Sequence, residues 1–396
     1  MPRIYISGRP SLHIRDTFKA KTGGNDLFPL DQKRCHFVFS ARYALAAGLE
    51  ALGVGPGDAL LIPSYNCGVE IDPILHLGIK PVFYRIGRDL LADCDDLIRK
   101  VSPYVKAILI THYLGFPQAV GQIRKICDER KLFLIEDCAH ALLSSTNGRY
   151  LGSYGDLAVF SLLKTLPVPN GGMFIFNGKE GIYSNCSVKP NLFSTLFYAT
   201  EILGRTSSNL NNSIEESILR VFKTSIYGCI GFIRLFLIGF RKYLNPTGLY
   251  LVRPDSYLFI KDLRSWGISG LSRNILSRTN FREIKIIRRR NFEYLLNHFL
   301  KKERGILPFM ELPPGVCPLF FPIILENAEM RERIYSSLKE RGIISHPWWD
   351  KFHSEVPWDE FPDAVYLKKR LFGLPIHQDL THKHLDFIIE EFEKAY

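Results

Sequence analysis

The sequence predicts an α/β protein: a large domain built on a mostly parallel mixed sheet flanked by helices, then a smaller C-terminal α/β domain. Two observations predict it. From about residue 36 to residue 177, short apolar runs alternate with amphipathic stretches of helical period, the pattern of a sheet covered on both faces. After about residue 305 a second, shorter series of the same kind begins with CPLFFPIIL. The expected division is 1–260 for the large domain, with a helical insertion around 181–260, and 261–396 for a long linking helix and the small domain.

In chain order, HFVFS reads as the first strand and ARYALAAGLEAL as a helix that ends at Gly53. Strands then follow at ALLIPSY, KPVFYRI, AILITHYLG, LFLIEDCA, LAVFSLL and GMFIF, with helical patterns such as AVGQIRKICDERK between them. Residues 181–260 break this rhythm. SNLNNSIEES is polar and turn-rich, and Ser213 with Glu216 has the spacing of a capping box. The apolar stretch that follows, around 225–240, is interrupted by Arg234 and is too short to span a bilayer. A core or dimer-interface helix is expected there, with peripheral membrane contact as the alternative. A long helix is expected over NILSRTNFREIKIIRRRNFEYLLNHFL, with Arg288, Arg289 and Arg290 on a solvated face. AEMRERIYSSLKERG, closed by Gly342, and HLDFIIEEFEKAY are the helices of the small domain.

Composition narrows the class. Of 396 residues, 46% are hydrophobic and 23% charged, as in a globular protein with a real core. The net charge of +11 suits anionic partners without naming one. Eight cysteines carry no metal-ligand spacing, so a reducing, cytoplasmic compartment is expected and a metal site is not. The opening MPRIYISGRPSLHIRD has no continuous apolar core of the secretory kind.

In parallel sheets, ligands bind beyond the carboxyl ends of the strands, and three features lie there. Asp137 follows the apolar run LFLI; a carboxylate so placed either caps the next helix or pairs with a cation. Lys164 stands in VFSLLKTLPVPNGGM. Alone it reads as a strand-end lysine reaching for water, but a lysine amine in an apolar pocket is also a Schiff-base former. Ser40 precedes the helix at Ala41, either as a simple N-cap or beside an anion site made by the first amides of that helix, at Ala41 and Arg42. Ser161 adds a hydroxyl close to Lys164.

Together, SARYALAAGLEALGVGPGDALLIPSYNC, GIKPVFYRI, ILITHYLGFP, FLIEDCAHAL, GSYGDLAVFSLLK and NGGM, with RRRNFEYL, FFPIIL, LKERGI and GLPIHQDLT toward the far end, resemble the DegT/StrS family of sugar aminotransferases. These are enzymes of the aspartate aminotransferase fold that use pyridoxal 5′-phosphate (PLP). The resemblance runs over nearly the whole chain and is most specific at EDCAHA and GSYGD.

The resemblance implies that Lys164 bonds PLP as a Schiff base and shuttles the proton. It implies that Asp137 pairs with the pyridine nitrogen, and that Ser161 and the amides at Ala41 and Arg42 hold the phosphate. His140 falls where the family commonly has Gln near the ring hydroxyl, and Cys67 where an aromatic ring stacks on the cofactor. Ser161 and Lys164 are more closely spaced than in the family. Ser269 is the nearest polar candidate where the family carries an Asn reaching the partner subunit, and His346, Trp348 and Trp349 are candidates to line a substrate pocket. The implied activity is amino transfer from an amino acid, glutamate being the expected donor, to a nucleotide-linked keto-sugar in polysaccharide or secondary-metabolite biosynthesis, by a homodimer. A PLP-dependent sugar dehydratase and a non-catalytic sensor or membrane-docked scaffold are the alternatives.

Overall fold

A computed structural model describes residues 4–12, 30, 35–178, 188–190, 195, 198–199, 202, 259–302 and 304–396. The expected capping box at Ser213 and Glu216 and the apolar stretch 225–240 lie outside these residues. The large sheet has seven strands: β1 (Cys35–Val38), β2 (Ala59–Pro63), β3 (Lys80–Tyr84), β4 (Val105–Thr111), β5 (Phe133–Asp137), β8 (Leu157–Ser161) and β9 (Gly172–Phe176). A two-residue pair, β6 (Ser145–Thr146) and β7 (Arg149–Tyr150), forms a separate ribbon between β5 and β8.

The order across the large sheet is β1-β9-β8-β5-β4-β2-β3. Strands β8, β5, β4, β2 and β3 are mutually parallel, and β9 runs antiparallel between β1 and β8. The carboxyl ends of β1, β2, β4, β5 and β8 therefore share one edge, where the amino end of β9 meets them. All five residues of β2, of β8 and of β9 are buried, which is why these strands read as unbroken apolar runs rather than alternations.

Helices α1 (Ala41–Ala51), α2 (Ile71–His76), α3 (Cys94–Arg99) and α4 (Val120–Arg130) connect the strands. In α1, nine of eleven residues are buried. Gly48 lets that helix press on β8, since a Cβ there would lie 2.5 Å from the Leu157 side chain. The chain after β8 departs from the expected strand end. LLKT forms one helical turn, α5 (Leu162–Thr165), directly after Ser161. Positions three apart on such a turn share a face, so the close spacing of Ser161 and Lys164 brings both to the same side.

The expected long helix is two helices, α6 (Gly270–Leu276) and α7 (Phe281–Lys302). Ser269 caps α6 by accepting the Ser272 amide at 3.1 Å, and is itself buried and bonded to Asn170. The second sheet, β10 (Phe320–Ile324), β12 (Leu371–Pro375) and β11 (His346–Pro347), is antiparallel in the order β10-β12-β11. It is accompanied by α8 (Ala328–Glu340), α9 (Pro362–Arg370) and α10 (His382–Ala395). Asn327 caps α8 through the Met330 amide at 2.8 Å, and Gly342 closes it at φ 85°, as the sequence suggests.

Of the arginine run only Arg290 is exposed; Arg288 is buried and Arg289 partly so. Arg288 is 1% exposed; its Nε donates to Gln378 Oε1 at 3.0 Å, and its guanidinium to the carbonyls of Leu319 at 3.1 Å and Thr165 at 3.4 Å. Arg289 donates to the carbonyls of Pro313 and Val316, both at 2.8 Å. Carbonyls beyond strand ends lack ladder partners, and a five-donor guanidinium satisfies several at once. Periodicity could not reveal this, because the acceptors come from segments distant in sequence.

Candidate active site

The shared strand edge opens on a cavity of about 350 Å³. Six of the seven predicted site residues line it: Ala41, Arg42, Cys67, Asp137, Ser161 and Lys164. The seventh, His140, is buried behind Lys164, with its Nε2 2.8 Å from Lys164 Nζ.

Asp137 ends β5, and its Oδ1 accepts the Ala139 amide at 2.9 Å. Burial pushes its carboxyl up to about 6; the Glu70 carboxylate adds to this, and the Lys164 ammonium and the Ala139 hydrogen bond oppose it. A carboxyl in that condition gains from a cationic partner placed in the cavity. Burial also holds the His140 ring well below the usual histidine range, with Lys164 pushing the same way.

At the other end, Ser40 occupies the N-cap position of α1 in extended conformation, φ −155° and ψ 168°. Its hydroxyl makes no capping bond and is buried without a partner among the described residues. Gly172, the first residue of β9, lies against this corner. A Cβ there would stand 2.1 Å from the Ser40 carbonyl carbon and 2.4 Å from the Ala41 nitrogen. A glycine at the approach, an orphan hydroxyl and the start of an eleven-residue helix fit a phosphate. With the Lys164 amine and the Asp137 carboxyl, the residues present fit PLP.

Sequence reasoning missed part of the lining. Glu70, 7% exposed, binds Cys67 twice: its Oε1 accepts the Cys67 amide at 3.2 Å and its Oε2 accepts the thiol at 2.9 Å. Burial and Glu70 together push the Cys67 thiol far above its ordinary range. Arg9 reaches the cavity from the amino-terminal segment, and Tyr335 and Asp350 from the second sheet's region. No sequence pattern marks these residues, because each arrives from a separate segment. His346, Trp348 and Trp349 do line the cavity. The Trp348 ring lies 5.0 Å and the Trp349 ring 5.6 Å from the His140 ring, centroid to centroid, and Tyr65 Oη donates to the Trp348 carbonyl at 2.7 Å.

His112, Glu136 and Cys138 cluster closely enough to suggest a metal, yet the ligand atoms of the first two are already engaged. Glu136 accepts the amides of Gly152, Tyr154 and Gly155 and the His112 ring nitrogen, all between 2.6 and 3.0 Å. His112 Nδ1 accepts the Gln118 amide at 3.1 Å. The cluster is a hydrogen-bonded anchor for the 152–155 loop.

Residues 30–188 match the profile of the DegT/DnrJ/EryC1/StrS aminotransferase family, the stretch that carries this strand edge. This stretch of the chain belongs to that family. Among curated relatives, dTDP-4-dehydro-2,3,6-trideoxy-D-glucose 4-aminotransferase of Saccharopolyspora spinosa is 26% identical over 92% of this chain and 85% of its own. GDP-perosamine synthase of Vibrio cholerae is 34% identical over 37% of this chain and 41% of its own. A Streptococcus pneumoniae protein described as a sugar aminotransferase, solved in its PLP form, superposes with a TM-score of 0.65 at 16% identity, over 99% of this chain and 98% of that one. The matched family is one of PLP-dependent aminotransferases. Among the described residues no helix is long and apolar enough to cross a membrane, and the six described cysteines are free thiols.

Proposed function

We propose that this chain binds PLP and moves an amino group from an amino acid, with glutamate as donor, to the ketone of a nucleotide-linked sugar. One observation carries the reading: the Lys164 amine, the Asp137 carboxyl and the partnerless Ser40 hydroxyl face one cavity from three strand ends. The relatives named for dTDP- and GDP-linked sugars support the acceptor class. Arg9 and Arg42 at the cavity suit an anionic substrate.

In this reading Asp137 holds the ring's cationic nitrogen, its raised carboxyl being returned to the charged form by that partner. The Ser40 and Ser161 hydroxyls and the first amides of α1 bind the phosphate. PLP, when bound, supplies the aldehyde that carries the amino group and an aromatic ring that accepts an electron pair. Lys164 Nζ would take and return the substrate proton. Trp348 and Trp349 wall the cavity and exclude water from it.

The test is chemical. Purified protein incubated with PLP and reduced with borohydride should carry a pyridoxyl group on the peptide containing Lys164, and Lys164→Ala should carry none. Glutamate should then bleach the visible band, and a dTDP- or GDP-linked 4-keto sugar should restore it. A protein that takes up no PLP would overturn the reading. One that takes it up without bleaching would point to the dehydratase alternative. Sedimentation velocity reads the expected homodimer directly.

A further inference from the structure

Lys368, on α9, is a lysine that the chemistry above does not use, yet it is 1% exposed. Its Nζ donates to the Asn66 carbonyl at 2.8 Å and to the Lys351 carbonyl. These carbonyls stand one residue before Cys67 and one residue after Asp350, and both Cys67 and Asp350 line the cavity. Cys67 lies in the segment that follows β2 of the large sheet, and Asp350 in the segment that follows β11 of the second. We propose that Lys368 is a positioning residue that ties these two walls of the cavity together through one ammonium group. Its importance for turnover rests on the reading of this cavity as the PLP site; the tether itself does not.

The surrounding sequence prepares both acceptors. The Asn66 side-chain amide donates to the carbonyls of Pro63 at 3.0 Å and Ser64 at 3.1 Å. That folds the chain back on the end of β2 and leaves the Asn66 carbonyl for Lys368. On the other wall, Trp358 Nε1 donates to the His353 carbonyl at 2.9 Å, closing residues 353–358 into a loop. Lys368 Nζ lies 4.8 Å from the Trp358 ring centroid and 5.3 Å from that of Phe352, so aromatic rings replace water around the ammonium. The Arg331 guanidinium donates to the Lys368 carbonyl and fixes the backbone from which the side chain extends.

A buried ammonium needs acceptors to offset its lost hydration. It has three N–H donors and no acceptor, so it can hold two carbonyls at once where an apolar side chain of the same shape holds none. Burial lowers the Lys368 amine to about 8, while Cys67, Glu70 and Asp350 favour its charged form. The same two segments also meet where Tyr65 Oη donates to the Trp348 carbonyl at 2.7 Å and where His353 Nε2 lies 3.3 Å from Asp72 Oδ1. With those contacts kept, loss of the ammonium should loosen the wall at Cys67 rather than unfold the chain.

Alkylation of the cofactor-free chain by iodoacetamide at neutral pH tests this, each thiol being read by peptide mass spectrometry. Half-buried Cys94 and buried Cys127 serve as internal references. Lys368→Met keeps an apolar stem without donors, and Lys368→Arg keeps donors. Cys67 should react about tenfold or more faster in the Met variant than in the native chain, the size of one charge-assisted hydrogen bond, and within about twofold of native in the Arg variant. Cys94 and Cys127 should not change. Removing a nearby cation by itself makes a thiol harder to ionise, so faster reaction reports movement of the wall and not charge. An unchanged or slower Cys67 in the Met variant overturns the proposal, as does an Arg variant as fast as the Met variant. Acceleration shared by Cys127 overturns it too, since that reports general loosening. If the Met variant does not fold, Lys368→Gln takes its place with the same outcomes. No step uses PLP or turnover, so a chain that failed to transaminate would be recognised separately.

Discussion

The Cys67 thiol donates to Glu70 Oε2 at 2.9 Å on the wall of the cavity that holds Lys164. A cysteine in the place of an aromatic ring is thus tied down by a carboxylate that the sequence did not single out. Cys67 is half-buried as a residue and lines the cavity, but burial and Glu70 keep its thiol from ionising. Cys67 should stay unalkylated at neutral pH in the cofactor-free chain, as read by peptide mass spectrometry. Glu70→Gln should raise its alkylation rate by about tenfold or more, one decade for each unit by which the thiol's pKa falls.

Asp137 should set a pH dependence of stability. Its carboxyl sits at about 6 in the fold, against 3.8 ordinarily, so between these values the folded chain binds more protons than the unfolded one. Stability of the cofactor-free chain should therefore fall as pH rises from about 4 to about 6, then level off. Asp137→Asn removes this titration. The variant should melt above the native chain at pH 7.5 and lose that advantage near pH 4, in thermal scans without cofactor. The same variant should bind PLP much more weakly, a difference that equilibrium dialysis measures.

Glu136 carries a different load. Three amides and a histidine share its two oxygens, with no solvent exposure. Glu136→Gln turns an N–H group toward those donors and leaves at least one unsatisfied. A loss of about 2–4 kcal/mol is expected in urea unfolding. Added zinc should not shift the native midpoint, because the ring and carboxylate atoms are already used.

Gly172→Ala should act on the anion corner. A Cβ at 2.1 Å from the Ser40 carbonyl carbon must displace the start of α1, since both contacts are backbone. PLP affinity should fall by about tenfold or more, the effect of losing one or two phosphate hydrogen bonds, as titrated by visible absorbance. The spectrum of the reduced Lys164 adduct should remain, since the amine itself is untouched.

The strands of the large sheet were legible because fully buried parallel strands leave unbroken apolar runs, and their carboxyl ends pointed to Ser40, Cys67, Asp137 and Lys164. The turn after Ser161 was hidden because LLKT is as apolar as the strand before it. Arg288 was misread for a related reason: helical period reports which residues share a face, but not whether that face meets water or a row of carbonyls. Glu70, Arg9 and Asp350 converge only in three dimensions, so no local pattern could select them.

Arg288 has one more consequence. Its guanidinium touches Thr165 of the turn that bears Lys164, and also Leu319 and Gln378 beside the smaller sheet. A cut anywhere between these partners would strand a desolvated positive charge, so neither part is a self-sufficient fragment. The chain should melt as a single cooperative unit, and the lysine turn can never loosen without the second sheet feeling it.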